Sequence, residues 1–226
     1  MEKFLTPLNH REIEYHARRL SGCDIPDSLG YKSDEAAALF EWLDRTGGRV
    51  FDDALVMDYG TDCLRLYLLF EKTPEENDAP FYESWNEGEL EGMYKFLCRY
   101  RRMILAVLFE GGCADVTKES ITRMQDALDG TEKKIDRCIR RGNDRANRHG
   151  VVSALMELLK LLQKELRVGE LVTGIRIHAQ NERNFANTCP YREDVERICR
   201  NFISLMAPIA PDISKILFME MQGVLY

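Results

Sequence analysis

No apolar run in this 226-residue chain approaches about 18 residues, so the sequence offers no candidate membrane-spanning helix. The opening Met1-Glu2-Lys3-Phe4-Leu5 lacks the basic region and apolar stretch of a signal peptide. None of the seven cysteines forms a Cys-x-x-Cys pair, and an odd count without an export signal predicts reduced thiols in a cytoplasmic protein. Histidine is scarce. His10, His16 and Cys23 are loosely spaced, whereas structural zinc uses tightly paired ligands, so no metal is expected. Neither Gly-x-x-x-x-Gly-Lys-Thr/Ser nor Gly-x-Gly-x-x-Gly occurs, which removes both common nucleotide loops, and no cofactor is expected. Cys138 has Lys134, Arg137 and Arg141 nearby, a setting that lowers a thiol pKa, but it also falls among Ile135 and Ile139 on an apolar stripe. A core cysteine is the simpler reading, and no catalytic residue is assigned.

Hydrophobic residues make up 45% of the chain, enough for a core without metals or disulfides. The net charge of −7 is unevenly spread. Glu71 to Gly92 holds eight acids against Lys72, which is 1 − 8 = −7, so the remainder sums to zero. Thr131 to Arg148 carries seven bases and three acids, a local excess of 7 − 3 = +4. An acidic total therefore does not exclude a polyanionic partner, because local fields decide binding.

The apolar spacing predicts a mainly α-helical protein. Ile13, Ala17 and Leu20 suggest a first short helix, and Ser33 is placed to cap a second that runs through Leu43 and ends at Gly47-Gly48. Short helices follow at Asp52 to Tyr59 and Asp62 to Glu71, then a loop at Pro74 to Pro80. Leu90, Met93, Leu97, Ile104 and Leu108 mark a long helix closed by Gly111-Gly112. Ile121, Met124, Leu128, Ile135, Ile139 and Ala146 continue a stripe through a second long helix, with Gly130 its weak point. Val151 to Leu166 is apolar on more than one side and is expected at the centre. Val168 to Pro190 is ambiguous and includes strand-like Leu171-Val172-Thr173 and Ile175-Arg176-Ile177. Two final helices flank Pro208-Ile209-Ala210-Pro211. An antiparallel helical bundle after about residue 87 is the physical expectation.

Lys134, Arg137, Arg141, Arg145 and Arg148 follow steps of three, four, four and three. On one continuous helix their charges would share a face about 20 Å long, away from the apolar stripe. Such a face suits phosphates, each arginine offering a two-pronged fork. It equally suits water, with local partners in Asp136 and Asp144.

Four segments, in order, resemble leucyl-tRNA synthetases. Asp58-Tyr59-Gly60-Thr61-Asp62-Cys63-Leu64-Arg65-Leu66-Tyr67-Leu68-Leu69-Phe70 is similar to their Tyr-Gly-Ala-Asp-x-Leu-Arg-Leu segment, and Trp85 to Arg99 to their Trp-x-x-x-x-Val-Glu-Gly-Ala-x-Arg-Phe-Leu-x-Arg stretch. Val152-Ser153-Ala154-Leu155-Met156-Glu157 resembles an Ile-Ser-Ala-Leu-Met-Glu helix, and Met206-Ala207-Pro208-Ile209-Ala210-Pro211-Asp212-Ile213 a Leu-Ala-Pro-Phe-Ala-Pro-His-Ile signature. The likeness covers roughly residues 48–223. It implies the region joining the catalytic domain to the helical anticodon-binding bundle, and a bundle that docks on the tRNA body.

The departures carry equal weight. If Gly47-Gly48-Arg49-Val50 matches the family's Lys-Gly-Asn-Val, its Lys-Met-Ser-Lys-Ser loop falls on Trp42-Leu43-Asp44-Arg45-Thr46. Trp42 then replaces the first lysine, and Arg45 and Thr46 are the remnants of an ATP loop. Asp44 sets a negative charge where phosphates would sit, which opposes ATP. The His-x-Gly-His motif is absent, and residues 1–40 resemble nothing in the family. The expected division is an unassigned segment at 1–40, a degenerate stem-contact-like piece at 41–86 and an anticodon-binding-like bundle at 87–226. The expected role is tRNA binding without aminoacylation chemistry, with no membrane or DNA partner. Lys133, Lys134, Arg137, Arg140, Arg141, Arg145 and Arg148 would meet phosphates, with Lys95, Arg99, Arg101 and Arg102 adding to the field. Two alternatives stay open: a piece that completes a synthetase with a catalytic partner, which an exposed apolar patch at 40–70 would favour, and a protein-interaction domain that has lost RNA binding.

Overall fold

Ser33 starts the first helix as its spacing predicts, its Oγ accepting the Ala36 N–H at 3.2 Å. A computed structural model of the chain describes residues 31, 33–50, 53–70, 86–109, 116–168 and 190–222. All the regular structure among these residues is helical: α1 Asp34–Val50, α2 Asp53–Tyr59, α3 Thr61–Phe70, α4 Glu87–Phe109, α5 Lys118–Arg140, α6 Arg145–Glu165, α7 Arg192–Met206 and α8 Pro211–Met221. The expected mainly α bundle is what the chain forms. The first predicted helix, the Pro74 to Pro80 loop and the strand-like stretch at 171–177 lie outside the described residues.

Two boundaries differ from expectation. Gly47-Gly48 does not end α1, which continues to Val50. Ala36, Leu39, Leu43 and Thr46 recur every three or four residues and are all buried, and that packing outweighs the cost of about 1 kcal/mol for each helical glycine. The helix expected to run unbroken through Ala146 is instead two helices, α5 and α6. Gly142 adopts φ +118°, a conformation that reverses the chain and that a side chain resists. Asp144 then caps α6, its carboxylate accepting the Asn147 N–H at 2.9 Å. Ala146 is consequently exposed and off the stripe. Gly130, the suspected weak point, sits in open space within α5 and leaves it intact.

α6 is central, packed on α5, α3 and α4, as its many-sided apolar character predicts. α5 also meets α7 and α1, while α4 meets α3, α7 and α8. One buried cluster joins Leu43 of α1 and Leu64 of α3 to Phe96, Leu155, Phe202 and Leu217 of the later helices. α5 and α6 approach so closely that a Cβ on Gly150 would lie 2.8 Å from the Cys138 Sγ.

Two of the segments singled out from the sequence meet in space. Arg65 on α3 donates from Nε to the Ile209 carbonyl at 2.9 Å and from Nη2 to the Pro208 carbonyl at 2.8 Å. Its Nη1 pairs with Asp44 of α1. Asp62 accepts the N–H groups of Ile213 and Asp212 at 2.8 and 3.3 Å, satisfying the first turn of α8. Burial and the neighbouring Asp212 push the Asp62 carboxyl up, against the pull of those amides and of Arg65.

Candidate nucleic-acid interface

The basic cluster sits at the turn that joins α5 to α6, the tip of the hairpin. α5 opens with Glu119 and closes with Arg137 and Arg140, charges that complement its dipole at both ends. Lys133, Arg137, Arg140, Arg141 and Arg145 are exposed. The chain reversal at Gly142 brings Arg141 and Arg145 to opposite sides of one tight turn. The charges therefore gather around a hairpin tip, and do not form a stripe on a single rod.

Several expected contacts have other partners. Arg140 donates from Nε to both oxygens of Asp136 at 2.9 and 3.0 Å, an exposed i,i+4 pair. Lys134 bonds Glu157 across the hairpin at 2.8 Å. Such surface pairs are weak enough for a phosphate to displace. Arg148 is a correction. It is only 6% exposed, its Nη1 donates to the Asn143 carbonyl and, at 3.3 Å, to the Asn143 Oδ1, and its guanidinium lies 4.6 Å from the centre of the Trp42 ring. The broken helix is the reason: once the chain turns at Gly142, residue 148 faces α1 and not solvent.

On α4, Lys95, Arg99 and Arg102 are exposed at steps of four and three, and Lys95 pairs with Glu91 at 3.2 Å. Arg101 is half-buried and faces Glu220 of α8. α4 packs on α3, α6, α7 and α8, and α5 on α6, α7 and α1, so the two basic sets ride on helices that share α6 and α7 as neighbours.

The residues that the resemblance aligns with an ATP loop lie within regular helix α1. Arg45 is exposed, but Thr46 is 2% exposed with its hydroxyl lacking a hydrogen-bond partner among the described residues, Asp44 is engaged by Arg65, and Trp42 covers Arg148. These positions form helical packing and no phosphate-binding loop. Among the described residues no set of His, Cys, Asp or Glu side chains is placed to hold a metal ion, and no helix is long and apolar enough to cross a membrane. Met57 is the exposed large hydrophobic side chain there, so those residues show no apolar patch in the 40–70 region.

Sequence reasoning missed Asn143, the acceptor at the hairpin tip. An Asn beside a Gly is a turn signal, but the apolar spacing on either side masked it.

Comparison with curated proteins returns leucine–tRNA ligases. That of Prochlorococcus marinus subsp. pastoris is 25% identical over 200 residues, 86% of this chain and 20% of the relative. That of Prochlorococcus marinus MIT 9313 is 25% identical over 231 residues, 99% of this chain and 24% of the relative, so the likeness extends into residues 1–40, which were expected to lie outside it. The Hamiltonella defensa ligase is 26% identical over 173 residues, 75% of this chain. The chain spans about a fifth of the length of these relatives. No protein-family model matches, and no solved structure matches. Over most of its length the chain is related to a region of leucine–tRNA ligases.

Proposed function

We propose, from that relation, that this chain is a tRNA-binding module that carries no ATP site and performs no aminoacylation of its own. The observation that carries the reading is the exposed cationic tip of the α5–α6 hairpin on a helical bundle related to a tRNA ligase. Lys133, Arg137, Arg141 and Arg145 would meet phosphates at the tip. Lys134 and Arg140 would do so by exchanging a carboxylate for a phosphate, and Lys95, Arg99 and Arg102 would extend the field along α4. Phosphate contacts of this kind position an RNA without reading its bases. Described residues on both sides of the proposed boundary at about residue 87 belong to one buried cluster.

Binding should be salt-dependent and weakly sequence-specific, with a log–log slope of about −0.7 to −0.9 per phosphate contact. Changing Arg137, Arg141 and Arg145 together to Glu should abolish tRNA binding and leave the far-UV CD spectrum unchanged. Reversing Glu75, Glu76 and Asp78 to Lys should strengthen it. If the arginine triple variant binds tRNA as tightly as the parent at low salt, the module is a protein-interaction domain instead.

A further inference from the structure

A buried guanidinium is an expensive way to fill space, because its desolvation is offset only by well-placed partners. The partners of Arg148 include the Trp42 ring at 4.6 Å, the Asn143 carbonyl and the Asn143 Oδ1. Met or Leu would plug the same gap without that cost. What a guanidinium adds is direction: a planar group set against the Trp42 ring keeps one nitrogen, Nη1, on both oxygens of Asn143. The Asn143 carbonyl lies midway between Arg141 and Arg145. Below it the Gly142 N–H donates to the Ile139 carbonyl at 3.1 Å, and beyond it Asp144 caps α6. The ring behind the guanidinium comes from α1, which packs on α5. Trp42 is also the position that the resemblance aligns with the first lysine of an ATP loop.

We propose that Trp42 and Arg148 are positioning residues: the α1 aromatic holds Arg148, which holds the Asn143 carbonyl and so presents Arg141 and Arg145 together to RNA phosphates. The inference rests on the tRNA-binding reading for its RNA part, and its geometric part stands on the turn alone. A helix aligned with a nucleotide loop thereby buttresses the RNA-facing tip. Neither residue touches the RNA.

Trp42→Leu tests this because it removes no charge. Amide exchange at Gly142 and Asn147 should quicken about fivefold to tenfold, as loss of a cation–π contact allows, while the Ile213 amide at the far motif stays at the parent rate. The salt dependence of tRNA binding should flatten by about one phosphate contact, 0.7–0.9 in slope, although no cation was removed. Trp42→Phe, which keeps a ring, should restore both. Arg148→Lys keeps the charge and loses the planar group that stacks on the Trp42 ring, so it should quicken the same two amides even if Trp42→Leu does not fold. Parent exchange rates at Gly142 and Asn147 in these variants overturn the clamp. Faster exchange with an unchanged salt slope overturns its role in presenting Arg141 and Arg145. A parent that binds no tRNA overturns the proposed function and the RNA part with it, and the exchange rates still decide whether the ring holds the turn.

Discussion

Gly150 is needed for what it lacks. A methyl group there would meet the Cys138 Sγ at 2.8 Å, so Gly150→Ala forces α5 and α6 apart. Overpacking of this kind costs about 1–3 kcal/mol. In a Cys138→Ala background the obstacle is gone, and the same change should stabilise by about 0.5–1 kcal/mol through helix propensity. Urea unfolding of the four proteins in the cycle checks this reversal of sign. Glu220 offers a second test. Its Oε2 is buried without a hydrogen-bond partner among the described residues, and burial pushes the carboxyl up to about 7 against the pull of Arg101. An unfolded glutamate titrates near pKa ~4.3. Between those values the folded chain holds a proton that the unfolded chain releases. Glu220 therefore favours the fold below about pH 4 and loses that contribution as pH rises through about 7. Glu220→Gln should raise the melting temperature by several degrees at pH 8 and leave it unchanged at pH 4, as a pH series of thermal melts would show.

At the scale of elements, α8 is short and depends on its neighbours. Pro211 begins it with no N–H to satisfy, Asp62 accepts the next two amides, and Arg65 holds the carbonyls of the preceding turn. Its buried face carries Ile213, Ile216 and Leu217. Leu217→Ala should cost about 2–5 kcal/mol in denaturant unfolding, the range for a buried leucine. A loss under about 1 kcal/mol would mean that α8 is not docked as described. The α5–α6 hairpin obeys a different rule. Its reversal rests on one positive φ at Gly142, so Gly142→Ala should unfasten the tip and speed amide exchange at Asn147 while the core amides keep their rates.

For the whole molecule, chemistry and binding separate. Leucine-dependent pyrophosphate exchange should stay at background with this chain alone, because the positions aligned with an ATP loop are packed into α1 and engaged with Arg65 and Arg148. Exchange above background would sink the reading of Trp42 to Thr46 as a remnant. The acidic Glu71 to Gly92 segment opposes the cationic tip in the molecule's overall field. Affinity for tRNA should accordingly be near micromolar and sensitive to salt, which a filter-binding series at several ionic strengths would measure.

Periodicity alone determined that the chain is helical and that Val151 to Leu166 lies at its centre, because a helix apolar on several sides has nowhere else to go. The ordered segments around Asp62, Arg65 and Pro208 to Ile213 were legible as a likeness, although nothing in one dimension says that they touch. Tertiary packing decided the rest. It carried α1 through Gly47-Gly48, because burying Leu43 and Thr46 outweighs the glycine penalty. It also turned a regular row of five cations into a hairpin tip with Arg148 inside. The spacing of charges is identical along one helix or across a turn, and only the backbone angle at Gly142 and the ring of Trp42 distinguish the two.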